Sequence, residues 1–85
     1  MNINVEDLLT VSGQKYMTLE VLDYESNRYA FVNKLTSNEE PTEEFYVFED
    51  LGGTVKKVVD NKILNILLPK FEKMLVSDIK KISEE

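Results

Sequence analysis

The longest periodic stretch of the chain is its last quarter. Leu64, Leu67, Leu68, Phe71, Leu75, Ile79 and Ile82 follow one another at three- and four-residue steps. That spacing puts them on one stripe of an α-helix. Lys62, Lys70, Lys73, Lys80 and Lys81 fall mainly off the stripe. Asp60 stands where an N-cap belongs, so the pattern predicts a helix over 61–82. Pro69 interrupts it, removing a backbone donor and crowding the carbonyl of Asn65. The stripe keeps its phase across Pro69, so a kinked continuous helix is expected rather than two helices. A kink of that kind lets a helix follow a twisted sheet.

Upstream the period shortens to two. Residues 15–24 alternate Met17, Leu19 and Val21 against Thr18 and Glu20, with Leu22 and Tyr24 on the opposite phase. Residues 28–36 place Tyr29 and Phe31 on one side and Ala30 and Val32 on the other. Between them Glu25-Ser-Asn reads as a hairpin turn, with Asn27 the residue that tolerates positive φ. Ser37 to Glu43 is polar and contains Pro41, so a loop is expected there. Residues 44–50 follow as a third strand, with Phe45 and Val47 facing one way and Tyr46 and Phe48 the other. Both its faces are aromatic or branched, so one of them can be covered by something other than the helix. Gly52-Gly53 makes a turn, and residues 54–59 form a fourth strand. Near the amino terminus, Asn4 followed by Glu6, Asp7, Leu8 and Leu9 fits one short capped helix. The whole predicts an α+β fold in one domain over 1–85. Its four-stranded antiparallel meander is packed on one face by the C-terminal helix.

Composition narrows the chemistry. The 85 residues include no cysteine and no histidine. A disulfide framework, a thiolate metal site and a Ser–His nucleophile are therefore excluded. No apolar run approaches the roughly 20 residues of a membrane span, and the first residues lack a secretory core. A cytoplasmic, non-membrane protein is expected. The net charge is −6 and unevenly laid out: residues 1–54 hold 11 acids and three bases, residues 55–83 seven bases and three acids. Solubility and local pairing account for most such asymmetry.

One feature stands out within it, the acidic run Glu39, Glu40, Glu43, Glu44, Glu49 and Asp50, with no base among them. Its spacing matches no calcium loop, and Pro41 interrupts it, so no metal site is expected. Paired carboxylates for acid–base work need a cleft, and a loop with strand ends implies none. The run can deter strand-to-strand aggregation, or imitate a nucleic acid toward a basic groove on another protein. The aromatics do not form a base-stacking platform, because the strands that carry them are acidic. Tyr24, Tyr46 and Phe48 share the phase opposite the helix and are expected to form an exposed apolar patch.

With the strands placed, the order of motifs resembles a known group. Tyr16-Met-Thr-Leu-Glu-Val-Leu-Asp-Tyr, Arg28-Tyr-Ala-Phe-Val, Glu44-Phe-Tyr-Val-Phe-Glu and a closing Leu67-Leu-Pro-Lys-Phe are similar to small acidic proteins of Firmicutes and their phages. The group concerned is the domain of unknown function numbered twelve ninety-two, and the similarity spans roughly residues 15–76. It implies the ββββα order and a bacterial or phage cytoplasmic setting. It carries no catalytic residues to transfer, and the lysine-bearing helix departs from its more acidic carboxy-terminal segments.

The expectation is thus a non-enzymatic protein-interaction module, monomeric or homodimeric, without cofactor, metal or direct nucleic-acid contact. It would bind a protein partner through an exposed sheet face or edge. The alternative is an acidic nucleic-acid mimic that inhibits a DNA-handling or defence enzyme. The candidate contact residues are Glu39, Glu40, Glu43, Glu44, Tyr24, Tyr46 and Phe48.

Overall fold

The computed structural model describes the backbone of residues 3–83 and the side chains of residues 3–78. Ile79 and Ile82 of the helical stripe, Lys80, Lys81 and the final two glutamates lie outside the described side chains. Five strands precede one helix: β1 Leu8–Val11, β2 Gln14–Tyr24, β3 Asn27–Leu35, β4 Pro41–Asp50, β5 Val55–Lys57 and α1 Asn61–Ser83. The strands form one antiparallel sheet in the order β1-β2-β3-β4-β5, so the fold is an α+β meander with a C-terminal helix.

Two expectations need correction. Residues 4–9 do not form a helix. Asn4 and Asp7 close a turn in which Asp7 N–H donates to the Asn4 carbonyl and Asn4 N–H donates to Asp7 Oδ2. Leu8 onward then pairs with β2 as a fifth strand. A four-residue apolar run fits either state locally, and the Ser12-Gly13 turn decides it. Ser12 and Gly13 both take positive φ, at 52° and 79°. Such a two-residue turn matches the twist of a hairpin. The second correction is the β3–β4 loop, which is only residues 36–40. Pro41 is the first residue of β4, the position where a strand tolerates proline. Thr36 organises that loop: its Oγ1 accepts from the N–H groups of Asn38 and Glu40.

Side chains leave the sheet into two separate cores. Tyr29 and Val47 meet Leu67 and Phe71 under the helix, with Leu22, Tyr24, Phe31, Ile63, Leu64 and Met74 around them. On the other face Ile3, Leu9, Tyr16, Ala30, Val32 and Phe48 cluster, joined by Val11, Val21, Tyr46 and Val55. The second cover that β4 calls for is the sheet itself, which curls until β1 and β5 contribute to the same core. Ile3 caps it at 1% exposure. Its N–H donates to Asp50 Oδ2 at 2.9 Å and its carbonyl accepts from Arg28 Nε at 2.7 Å.

The helix runs unbroken through Pro69, which is exposed. Asn65, whose carbonyl loses its donor there, is exposed as well, so the loss falls on the solvent side of the helix. Asp60 is the N-cap: its Oδ1 accepts from Lys62 N–H at 2.9 Å and its carbonyl from Leu64 N–H. The buried stripe is rotated slightly from the expected one. Ile63 and Met74 join it, while Leu68 is exposed.

Candidate functional site

The residues singled out from sequence do not converge. Phe48 is a core residue at 2% exposure, with its ring edge-to-face on Tyr16 at 5.0 Å. Tyr24 points to the opposite side, into the helix core, with Lys70 Nζ 5.9 Å from its ring. Tyr46 is half-buried, edge-on to Tyr16 at 5.9 Å and covered by Lys57 Nζ at 3.8 Å. The expected patch of Tyr24, Tyr46 and Phe48 therefore does not form. Two causes act: the curled sheet buries Phe48 and covers Tyr46, and a register shift between Thr18 and Glu20 in β2 turns Tyr24 away from them. One extra residue reverses the facing of everything after it, so Val21 joins Tyr16 and Thr18 on the curled face while Leu22 and Tyr24 turn to the helix.

The carboxylates are likewise dispersed. Glu39 sits 3.8 Å from Lys15 and Glu44 sits 3.4 Å from Lys34. Glu44 also accepts a hydrogen bond from the Tyr46 hydroxyl at 3.2 Å. That bond, with the nearby carboxylate charge, raises the Tyr46 phenol above its ordinary 10.0. Glu40 and Glu43 are exposed, and Glu43 and Glu44 lie in the stretch of β4 where pairing with β3 is irregular, between the pairs Asn33–Phe45 and Leu35–Pro41. Asp50 serves the fold. The N–H groups of Gly52 and Ile3, with Arg28 beyond, hold its carboxyl below the usual range despite its partial desolvation. Among the described residues no three carboxylates stand close enough to hold a metal ion.

What the structure offers instead is an edge. β1 has a neighbour on one side only. Its turn fixes which backbone groups are used: Val11 and Gln14 close the hairpin and bond each other, so Leu9 bonds Tyr16 in turn. The bond from Thr18 N–H to the Asp7 carbonyl keeps the same phase. The N–H and C=O groups of Leu8 and Thr10 therefore point away from the sheet. The strand reads Leu-Leu-Thr-Val, with no charge, and Leu8 is 45% exposed. The other edge is protected differently. β5 is three residues long and carries Lys56 and Lys57, both exposed. Short length and lysine are standard protections of a sheet edge, and β1 lacks the lysine.

The two edges line one cleft of about 440 Å³, with Leu8 to Ser12 on one wall and Gly53 to Val55 on the other. Val55 lies opposite Asp50 in a pair flanked by the bonded pairs Leu51–Thr54 and Glu49–Lys56, so its backbone groups also face outward. Sequence reasoning missed this site because it read Leu8 and Leu9 as helix. The signal that could have found it is the Ser-Gly pair after a β-branched residue. No helix among the described residues is long and apolar enough to cross a membrane. Searches among protein families, curated proteins and solved structures find no match to the chain.

Proposed function

We propose that this chain is a small, non-enzymatic protein-interaction module that takes an extended segment of its partner onto the free edge of β1. The observation that carries the reading is the contrast between the two edges. One is uncharged, with outward Leu8 and Thr10 backbone groups; the other is three residues long and guarded by lysines. Strand addition draws its affinity from main-chain hydrogen bonds and its selectivity from alternate side chains. A bacterial or phage cytoplasmic setting belongs to the same proposal and rests on the sequence resemblance alone.

The nucleic-acid mimic is the weaker reading. Glu39 and Glu44 have lysine neighbours of their own, which offset part of the negative charge a mimic would present. Affinity capture from a bacterial host separates the two. An edge binder loses its partner in Thr10→Pro, which removes an outward donor and no ladder bond. It keeps the partner when Glu39, Glu40, Glu43 and Glu44 become glutamine, and in raised salt. Capture that survives Thr10→Pro and fails on the glutamine variant rejects the edge and supports the mimic.

A further inference from the structure

Resting on that reading, we infer that the β1 cleft takes one isolated strand, running antiparallel to β1, with Lys or Arg at its carboxy-terminal end. Three observations lead there. The first is topological. In a five-stranded meander the first and last strands run in the same direction, so β1 and β5 cannot pair with each other in the antiparallel manner of the rest of the sheet. A single strand of opposite direction placed on β1 continues the antiparallel pattern there, and across the cleft it meets only Val55 of β5, ahead of the lysines that guard that edge. Antiparallel pairing is also the more stable kind.

The second is room. Gly53 to Val55 stand across the cleft from β1. A second copy of the chain would bring its own β2 behind its β1, into the space that Gly53 to Val55 occupy. The occupant is therefore a segment free of neighbours on its far side, such as a tail or linker. Four residues of it, about 13 Å of strand, cover the length of β1.

The third is polarity. Antiparallel docking places the segment's carboxy-terminal end past Leu8, where the chain turns through Glu6. Glu6 and Asp78, both exposed, line the same depression there with Val5 and Met17. Neither forms an ion pair among the described residues. At the other end of β1, Lys15 lies opposite Thr10, and Ser12 and Gly13 form the turn. A β-branched run followed by a basic residue satisfies both ends.

Selection from a random twelve-residue displayed peptide library on the full chain tests this, with Thr10→Pro and Leu8→Lys for counter-selection and circular dichroism to verify that both fold. The expected peptides carry a Val/Ile/Thr run followed by Lys or Arg and bind neither edge variant. They should lose about threefold to tenfold in affinity when Glu6 and Asp78 become glutamine. Edge-dependent peptides with bases ahead of the run, or without bases, overturn the inferred polarity and leave the edge reading standing. A library that yields no edge-dependent peptide overturns both. A dimeric solution mass that Thr10→Pro reduces to a monomer shows a second copy on the edge and overturns the single-strand inference.

Discussion

Replacing Phe48 with alanine separates a core residue from a contact residue. The ring is 2% exposed, between Tyr16 on one side and the Ala30 and Val32 strand on the other. A buried aromatic ring of about 150–250 Å² corresponds to roughly 4–6 kcal/mol of transfer free energy as an upper bound. Measured Phe→Ala losses in cores run at about 3–5 kcal/mol. A loss of about 4 kcal/mol is therefore expected. An 85-residue fold has about 4–13 kcal/mol in all, so the variant stands near the edge of unfolding. Phe48→Leu keeps most of the volume and should cost about 1–1.5 kcal/mol, which keeps the measurement possible. Phe45→Ala is the internal control. That ring is 47% exposed and stacked on Phe31 at 5.5 Å, and its loss should cost about 1–2 kcal/mol. Urea titration followed by far-ultraviolet circular dichroism and by the fluorescence of the four tyrosines gives all three. Equal costs for Phe48→Ala and Phe45→Ala, or the reverse order, would refute the two-core assignment.

Three further outcomes follow from local geometry. Glu25 and Ser26 both take positive φ in the β2–β3 turn, at 49° and 69°, whereas sequence suggested Asn27 for that role. Glu25→Asn with Ser26→Gly supplies the favoured pair for such a turn and should raise stability by about 1 kcal/mol, or roughly 4–8 °C in Tm by calorimetry. Asp50 has a lowered carboxyl pKa, so the stability it contributes is complete above the ordinary 3.8 and is lost as the pH falls through the depressed value. Asp50→Asn should lower stability at pH 7 and flatten the acid limb of a pH–stability curve, converging with the parent at the acid end. Asp60→Ala removes the cap of α1 and should cost about 1 kcal/mol in the same urea assay, with Asp60→Asn close to neutral.

Much of the fold is legible in the sequence, and the misses have identifiable physics. The β2–β3 hairpin, β4 and α1 declare themselves because each is long enough for its period to show. Asp60 caps α1 and the helix continues through Pro69, as expected, because capping is local and the stripe keeps its phase. β1 is four residues, too short for periodicity to choose between helix and strand. The candidate site failed for another reason. Assigning Tyr24, Tyr46 and Phe48 to one face assumes unbroken alternation through β2, and the irregularity at Thr18 to Glu20 breaks it. A register shift is set by what the neighbouring strand and the curl of the sheet require, and no single residue type announces it. The apolar character of both faces of β4 was the one readable clue that the sheet is covered twice.

The central strand β3 has a consequence for how the molecule comes apart. Tyr29 and Phe31 serve the helix core while Ala30 and Val32, alternating with them, serve the other. Neither core can loosen without pulling on the backbone that builds its counterpart. The two therefore unfold as one cooperative unit, and the amides of β3 should exchange with solvent only through global opening. β1, by contrast, is bonded on one side only, so its opening breaks one ladder and frees Leu9 and Val11 while β3 stays paired on both sides. Slow hydrogen exchange in the middle of the sheet beside fast exchange at its first strand is the dynamic signature of this arrangement.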